Sequence, residues 1–295
     1  MKGSFRKYKA SDLLVLLSPS LLLVGFIFAI PIVYSIYISF HKYNIFSPGT
    51  PFIGLDNYRK LFLSGTFWHS LGITFYFVVL AVAVEIVLAL LIALLLNQRF
   101  YGQKLLRVML LLPWAVPWVV NGIMWRWIYN SEFGPLNALL RQLGLISSDI
   151  NWLGEPFRAL NMMIMADIWK ETAFIAVLFL AGLQTIPIDY YEAAEIGGAN
   201  MWRKFWHITL PLLKPIMFVA LSLRTIWAFK TFDLVYALTR GGPSRGTNLL
   251  NFHIYNTTFS NLNFGYGASL SIILTLIILI LTLVYYRVVL GEEEK

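Results

Sequence analysis

Six runs of apolar residues alternate with polar connectors along the chain, and none of the six carries more than three charged side chains. The runs are Leu13–Phe40, Phe67–Leu96, Val108–Arg126, Ala159–Ile186, Pro215–Phe229 and Ala268–Tyr286. A helix needs roughly 20 mostly apolar residues to cross the hydrocarbon of a bilayer. Irregular backbone cannot face lipid, so runs of this length predict helices. The pattern therefore predicts an all-α integral membrane protein with six transmembrane helices. The first run is uncharged over 28 residues. A secretory signal has an apolar core of about 7–15 residues followed by a small-residue cleavage site, so this run reads as an uncleaved helix.

Composition agrees with the pattern. Of 295 residues, 58% are hydrophobic and 13% charged, against about 25% charged in a soluble domain. That is too little charge to cover a water-soluble fold, which excludes a soluble enzyme, a disordered chain and a nucleic-acid-binding domain. The net charge is +8. In a membrane protein such an excess reports loop orientation and contact with anionic lipid headgroups. With both termini placed in the cytoplasm, the inside segments (1–12, 97–107, 187–214 and 287–295) hold 12 Lys and Arg in 60 positions. The outside segments (41–66, 127–158 and 230–267) hold 8 in 96. The bias favours a multi-pass protein with N- and C-termini inside. There is no cysteine, hence no disulfide, thiol nucleophile or thiolate metal site. Residues 130–158 and 240–266 are rich in Gly, Asn, Ser and Pro, as exposed connectors are, and Glu292–Glu294 reads as a solvated tail.

The inside loop 187–211, PIDYYEAAEIGGANMWRKFWHITLP, has structure of its own. Pro187 ends the preceding helix. Asp189 suits an N-cap with Glu192 three residues on, as in a capping box. Tyr190–Ile196 then forms a short helix that Gly197-Gly198 stops. Met201–Ile208 forms a second short helix, and Pro211 closes the unit. The spacing alone is equally compatible with an interfacial amphipathic loop that has no partner.

Glu192-Ala193-Ala194, three residues, Gly198, nine residues, then Ile208-x-Leu210-Pro211 resembles the EAA motif of the membrane-spanning subunits of binding-protein-dependent ABC importers. AGLQTIP at 181–187 and LTRGGP at 238–243 are similar to stretches of the carbohydrate-uptake class, in particular its maltose-type permease subunits. The resemblance covers about Phe67 to Val289. Gly197 departs from it, since the family usually has Asp before the Gly. The resemblance implies the type-I ABC importer fold: a single permease domain over 1–295, with a core at about 67–290 and a cytoplasmic coupling helix within 187–211. It assigns ATPase coupling to Glu192, Ala193, Ala194, Gly198, Ile208, Leu210 and Pro211, the helix lying in a cleft of the ATPase subunit. It also implies the partners: a second homologous permease, an ATPase dimer and an extracytoplasmic sugar-binding protein, in a prokaryotic cell membrane. No G-x-x-x-x-G-K-[ST] occurs in the chain, so ATP and Mg belong on the separate ATPase and no cofactor or metal is expected here.

Charges inside spans are costly and mark cavities or the bundle interior. Asp167, Lys170, Glu171 and Phe174 recur at i, i+3, i+4 and i+7 on one face of the fourth run, as do Arg224, Trp227, Ala228 and Thr231 on the fifth. By position relative to the EAA loop, these faces match where the maltose-type subunit binds sugar. Charged and hydroxyl groups would bond sugar hydroxyls while a ring covers an apolar sugar face. The competing expectation is ion pairing among the charges alone. Glu85 and Arg126 read as helix–helix or gate contacts. Trp114, Trp118, Asn121 and Trp125 share a face of the third run and read first as an interfacial aromatic belt.

Catalytic signatures are weak. The four histidines are scattered, and Gly242-Pro243-Ser244-Arg245-Gly246 fits G-x-S-x-G without the strand–turn–helix that a nucleophile elbow needs. The reading is a transport subunit for a di- or oligosaccharide and not an enzyme. A permease for glycerol phosphate or another small solute is the nearest alternative. A secondary transporter is more remote, because neither an inverted repeat nor a broken midplane helix is evident in the sequence.

Overall fold

The computed structural model describes residues 10–46 and 49–290. The basic segment Lys2, Arg6, Lys7 and Lys9 and the tail Glu292–Glu294 lie outside the described residues. Among the described residues the secondary structure is helical, with two isolated β-bridges, His41 with Phe52 and Asn44 with Asn263. The chain divides into two units, one containing the described residues up to Leu63 together with Tyr255–Ile273, the other containing Ser64–Ile254 and the chain from Leu274.

In the first unit, α1 (Ala10–Val24) passes through a π-helical turn, Gly25–Ala29, into α2 (Ile30–Ser39), and α3 (Asp56–Leu63) follows. The buried Asn57 fixes α3 to the end of α2: its Nδ2 donates to the carbonyls of Ser39 (2.7 Å) and His41 (3.0 Å). The Ser39 carbonyl is one that the helix end leaves without an intrahelical partner.

The second unit begins with α4 (Gly65–Asn97), capped by the Ser64 side chain on Phe67 N. It continues with α5 (Gln103–Ala115), α6 (Trp118–Ile128), α7 (Pro135–Gln142) and α8 (Pro156–Gln184). The loop helices α9 (Ile188–Ile196), α10 (Met201–Lys204) and α11 (Leu210–Leu212) precede α12 (Lys214–Phe229). Then come α13 (Asp233–Leu238) and α14 (Leu250–Tyr255), and α15 (Phe264–Tyr285) spans the unit boundary. The core joins α4, α8 and α12 through Ala89, Ala93, Ile175, Ala176, Phe179, Leu213 and Ala220. Small residues let helix backbones approach closely where lipid supplies no hydrophobic drive for association. At Gly182 a Cβ would lie 2.8 Å from Ile216 Cγ1, so α8 and α12 need glycine there.

Three helices are long and apolar enough to cross a membrane: Leu16–Ser39, Gly65–Asn97 and Phe264–Val289. Counting three bent pairs as one span each gives six, in line with the six apolar runs. The third run differs from its expectation. Val108–Arg126 is not one straight helix: α5 and α6 meet at 92° across Val116-Pro117. Pro117 has no N–H to offer Pro113, and the residue before a proline is pushed out of the α region. Val116 accordingly sits at ψ 127° and Pro117 at ψ 144°.

The 187–211 loop forms a helix–turn–helix with two local corrections. Pro187, not Asp189, holds the cap position of α9, and the helix starts at Ile188 with Asp189 inside its first turn and no side-chain cap. Pro211 does not close the second helix, which runs from Met201 through a π-helical turn, Phe205–Thr209, to Leu212 before a 65° bend into α12. The stop after α9 is as expected. Gly198 adopts φ 75°, and the amides of Gly198 and Ala199 bond the carbonyls of Glu195 and Ala194 at 2.9 Å each. That pair of bonds is a Schellman cap, which favours glycine at its left-handed position.

Candidate functional site

The charged groups of the spans sort into two adjoining sets. The first is a fully buried triad. Arg224 on α12 donates through Nε and Nη2 to Glu85 on α4, with Nη2 to Oε1 at 2.9 Å, and through Nη2 to Asp167 on α8. One guanidinium thus ties three helices together, and its planar fork suits two carboxylates at once. Arg224 Nη1 and Asp167 Oδ1 have no partner. The expectation of Glu85 as a helix–helix contact is realised here. Arg126, by contrast, is exposed on α6.

The second set borders a cavity of about 460 Å³. Its walls are the whole break from Trp114 to Trp118, Lys170 and Glu171 on α8, Trp227 on α12, and Lys230–Leu234 beyond it. Lys170 Nζ donates to the Trp114 carbonyl at 2.8 Å, lies 3.8 Å from Glu171 Oε1 and stands 4.7 Å over the Trp118 ring. Phe174 packs between two cavity tryptophans, its centroid 5.3 Å from Trp114 and 5.2 Å from Trp227. Thr231, expected on the helical face of the fifth span, lies past its end and donates to the Trp227 carbonyl at 3.3 Å.

Of the eight candidate ligand residues, the structure brings Lys170, Glu171, Trp227 and Thr231 to this cavity, with Phe174 supporting its rings. Asp167 and Arg224 pair with each other and with Glu85 and do not line it. Ala228 is buried with no exposed surface. Trp114 and Trp118, read first as an interfacial belt, form cavity wall, because the break turns both toward α8. Asn121 is buried and Trp125 packs on Tyr129 and Trp169. Lys230 and Asp233 are cavity residues that periodicity missed, since they follow the end of α12. Pro117 was the available signal for the break.

On the 187–211 loop, Glu192, Ala193 and Gly198 are exposed and Ala194 half-buried. Ile208 lies in the π-helical turn, and Leu210 and Pro211 in α11. Two links bind the helices of this unit: Tyr191 Oη to Thr209 Oγ1 at 3.0 Å and Lys204 Nζ to Glu195 Oε1 at 2.5 Å. The loop thus presents its motif on a preformed surface, with the large apolar side chains of Tyr190, Ile196, Met201 and Trp202 uncovered beside it.

Residues 85–290 match the family described as binding-protein-dependent transport system inner membrane component. The chain belongs to this family. It is 43% identical over 286 residues to the trehalose/maltose transport system permease protein MalF of Thermococcus litoralis, covering 96% of this chain and 95% of that one. The sulfoquinovosyl glycerol transport system permease protein SmoG of Agrobacterium fabrum is 38% identical, covering 95% and 90%. The fold matches that of a bacterial ABC transporter involved in the import of alginate, with a TM-score of 0.80, 22% identity and 94% coverage of each chain. Membership makes this chain a membrane component of an importer. Among its described residues no cluster of His, Cys, Asp or Glu could hold a metal.

Proposed function

We infer that this permease is one of two membrane subunits of an ATP-driven importer and carries a di- or oligosaccharide along a path through the cavity between Trp118 and Trp227. The observation that carries the reading is the cavity itself, where three tryptophans stand beside paired charges and a hydroxyl. Rings that cover apolar sugar faces, with donors and acceptors at their rim, are what a polyhydroxylated neutral ligand needs. Lys170, Glu171, Trp227 and Thr231 are its contacts, Phe174 holds the rings, and Asp167 and Arg224 brace the wall from behind, with Ala228 leaving room for the packing. The name of the 43%-identical relative supports a sugar. A 34%-identical relative from Agrobacterium fabrum is named as a sn-glycerol-3-phosphate permease, which makes that solute the competitor.

In this reading the chain acts as one permease domain with both termini cytoplasmic. Glu192, Ala193, Ala194 and Gly198, with Ile208, Leu210 and Pro211 supporting them, dock α9 into an ATPase subunit that binds ATP and Mg. The remaining partners are a homologous second permease, the second ATPase copy and an extracytoplasmic binding protein. A related alginate transporter is described in complex with a periplasmic protein bound to alginate pentasaccharide. ATPase closure moves the coupling helices and rocks the spans between two states of access.

The test is uptake by the reconstituted complex. Trp227→Ala should lower uptake of radiolabelled maltose or trehalose about tenfold, equivalent to about 1.4 kcal/mol, while the complex still assembles. Uptake at the wild-type rate and affinity would remove this face of α12 from the path. A complex that carries glycerol 3-phosphate and neither sugar would overturn the substrate class.

A further inference from the structure

The break between α5 and α6 leaves carbonyls at the end of one helix and amides at the start of the next without intrahelical partners. Inside a membrane such groups must be satisfied by protein or by a cavity. Here one side chain from another helix serves both halves. Lys170 Nζ takes the Trp114 carbonyl of α5 at 2.8 Å, and the same ammonium stands 4.7 Å over the ring of Trp118, the first residue of α6. Its third direction holds the Glu171 carboxylate at 3.8 Å. The Lys170 side chain is only 4% exposed. A cation at a helix C-terminus is also favoured by the helix dipole, and a desolvated cation over an indole is a strong contact of its kind.

We propose that Lys170 is the positioning residue that clamps the two halves of the broken span at their cavity-forming angle. The geometry separates this role from that of Arg224. Arg224 joins three helices at their sides, whereas Lys170 grips one residue on each side of a single break, and those residues are themselves cavity wall. Removing the ammonium frees the Trp114 carbonyl and the Trp118 ring together. The clamp concerns the wall of the proposed sugar path but not what passes along it, so it can be tested without any substrate.

The chain contains no cysteine, so two labels can be placed at will. Leu105 on α5 and Ile123 on α6 are 60% and 57% exposed. Spin labels on Leu105→Cys and Ile123→Cys, in the complex assembled with cysteine-free partners in lipid nanodiscs, read the angle across the break as a distance distribution. Lys170→Met should shift and broaden that distribution, and Lys170→Arg, which keeps both a donor and a cation over the ring, should restore it. If Lys170→Met does not assemble, Trp118→Leu removes the ring and leaves every charge paired; it should shift the distance in the same direction by a smaller amount. A wild-type distribution in Lys170→Met, or in Trp118→Leu when that variant must stand in, overturns the clamp. So does a Lys170→Arg distribution that follows Lys170→Met. Loss of sugar uptake in Trp227→Ala with a normal distance, or the reverse, separates failure of the cavity reading from failure of this one.

Discussion

Truncating Arg224 would leave Glu85 and Asp167 facing each other in the buried core, since both carboxylates have no exposed surface. Breaking a buried ion pair by removing one partner costs about 3–5 kcal/mol, mostly because the other charge stays buried. Arg224→Leu should therefore lower the thermal midpoint in detergent sharply and reduce the amount of assembled complex, and adding Glu85→Gln should recover part of the loss. Recovery by the second substitution is expected because the two sites share one network. His253 is the other residue with a testable charge state. Its Nε2 is buried without a partner. Burial, with Arg245 nearby, pulls its pKa below the usual imidazole value. The folded chain thus refuses a proton that the unfolded chain accepts below about pH 6.5, so this contribution to stability is present above that pH and is lost as pH falls. Melting curves between pH 7 and pH 5 should fall less steeply for His253→Gln than for the wild type. Parallel slopes would mean that His253 does not couple to folding.

Between elements, the α8–α12 contact is the one that flanks the 187–211 loop, and it depends on Gly182. A Cβ there meets Ile216 Cγ1 at 2.8 Å and Leu213 Cδ2 at 3.0 Å. Ile216 Cγ1 lies mid-chain, and the Leu213 side chain that ends at Cδ2 is fully buried, with no open space to swing into. Overpacking of this kind costs about 1–3 kcal/mol. Gly182→Ala should lower the melting midpoint by that order, and Ile216→Ala in the same chain should give some of it back. An unaffected midpoint would mean that the two helices can separate without loss. The same scale explains why the third span is bent where its apolar run looks continuous. Pro113 and Pro117 are plain in the sequence, and a proline within an apolar run signals a kink or an end. The angle of 92° and the identity of the group that takes the freed carbonyl are set by α8, which lies about fifty residues away.

For the complete transporter, the coupling reading places the exposed Glu192 of α9 against a basic partner. Glu192→Lys should reverse that contact at a cost of about 2 kcal/mol or more, as for an interface hot spot. Copurification of the ATPase should be lost while the permease retains its melting curve. A variant that keeps both its ATPase and its uptake would remove Glu192 from the docking surface. The class of the protein, its six apolar runs, the EAA loop and the glycine stop at Gly198 were all legible along the chain. Each rests on local physics: hydropathy over one span, a motif within one loop, a left-handed residue in one turn. The partition of the embedded charges was not legible. Asp167, Lys170 and Glu171 share a helical face, yet Asp167 pairs with Arg224 and Glu85 while Lys170 and Glu171 border the cavity. Periodicity places side chains on a face of their own helix, but only the packing of α4, α5, α6, α8 and α12 decides which neighbour each charge meets and where space is left between them.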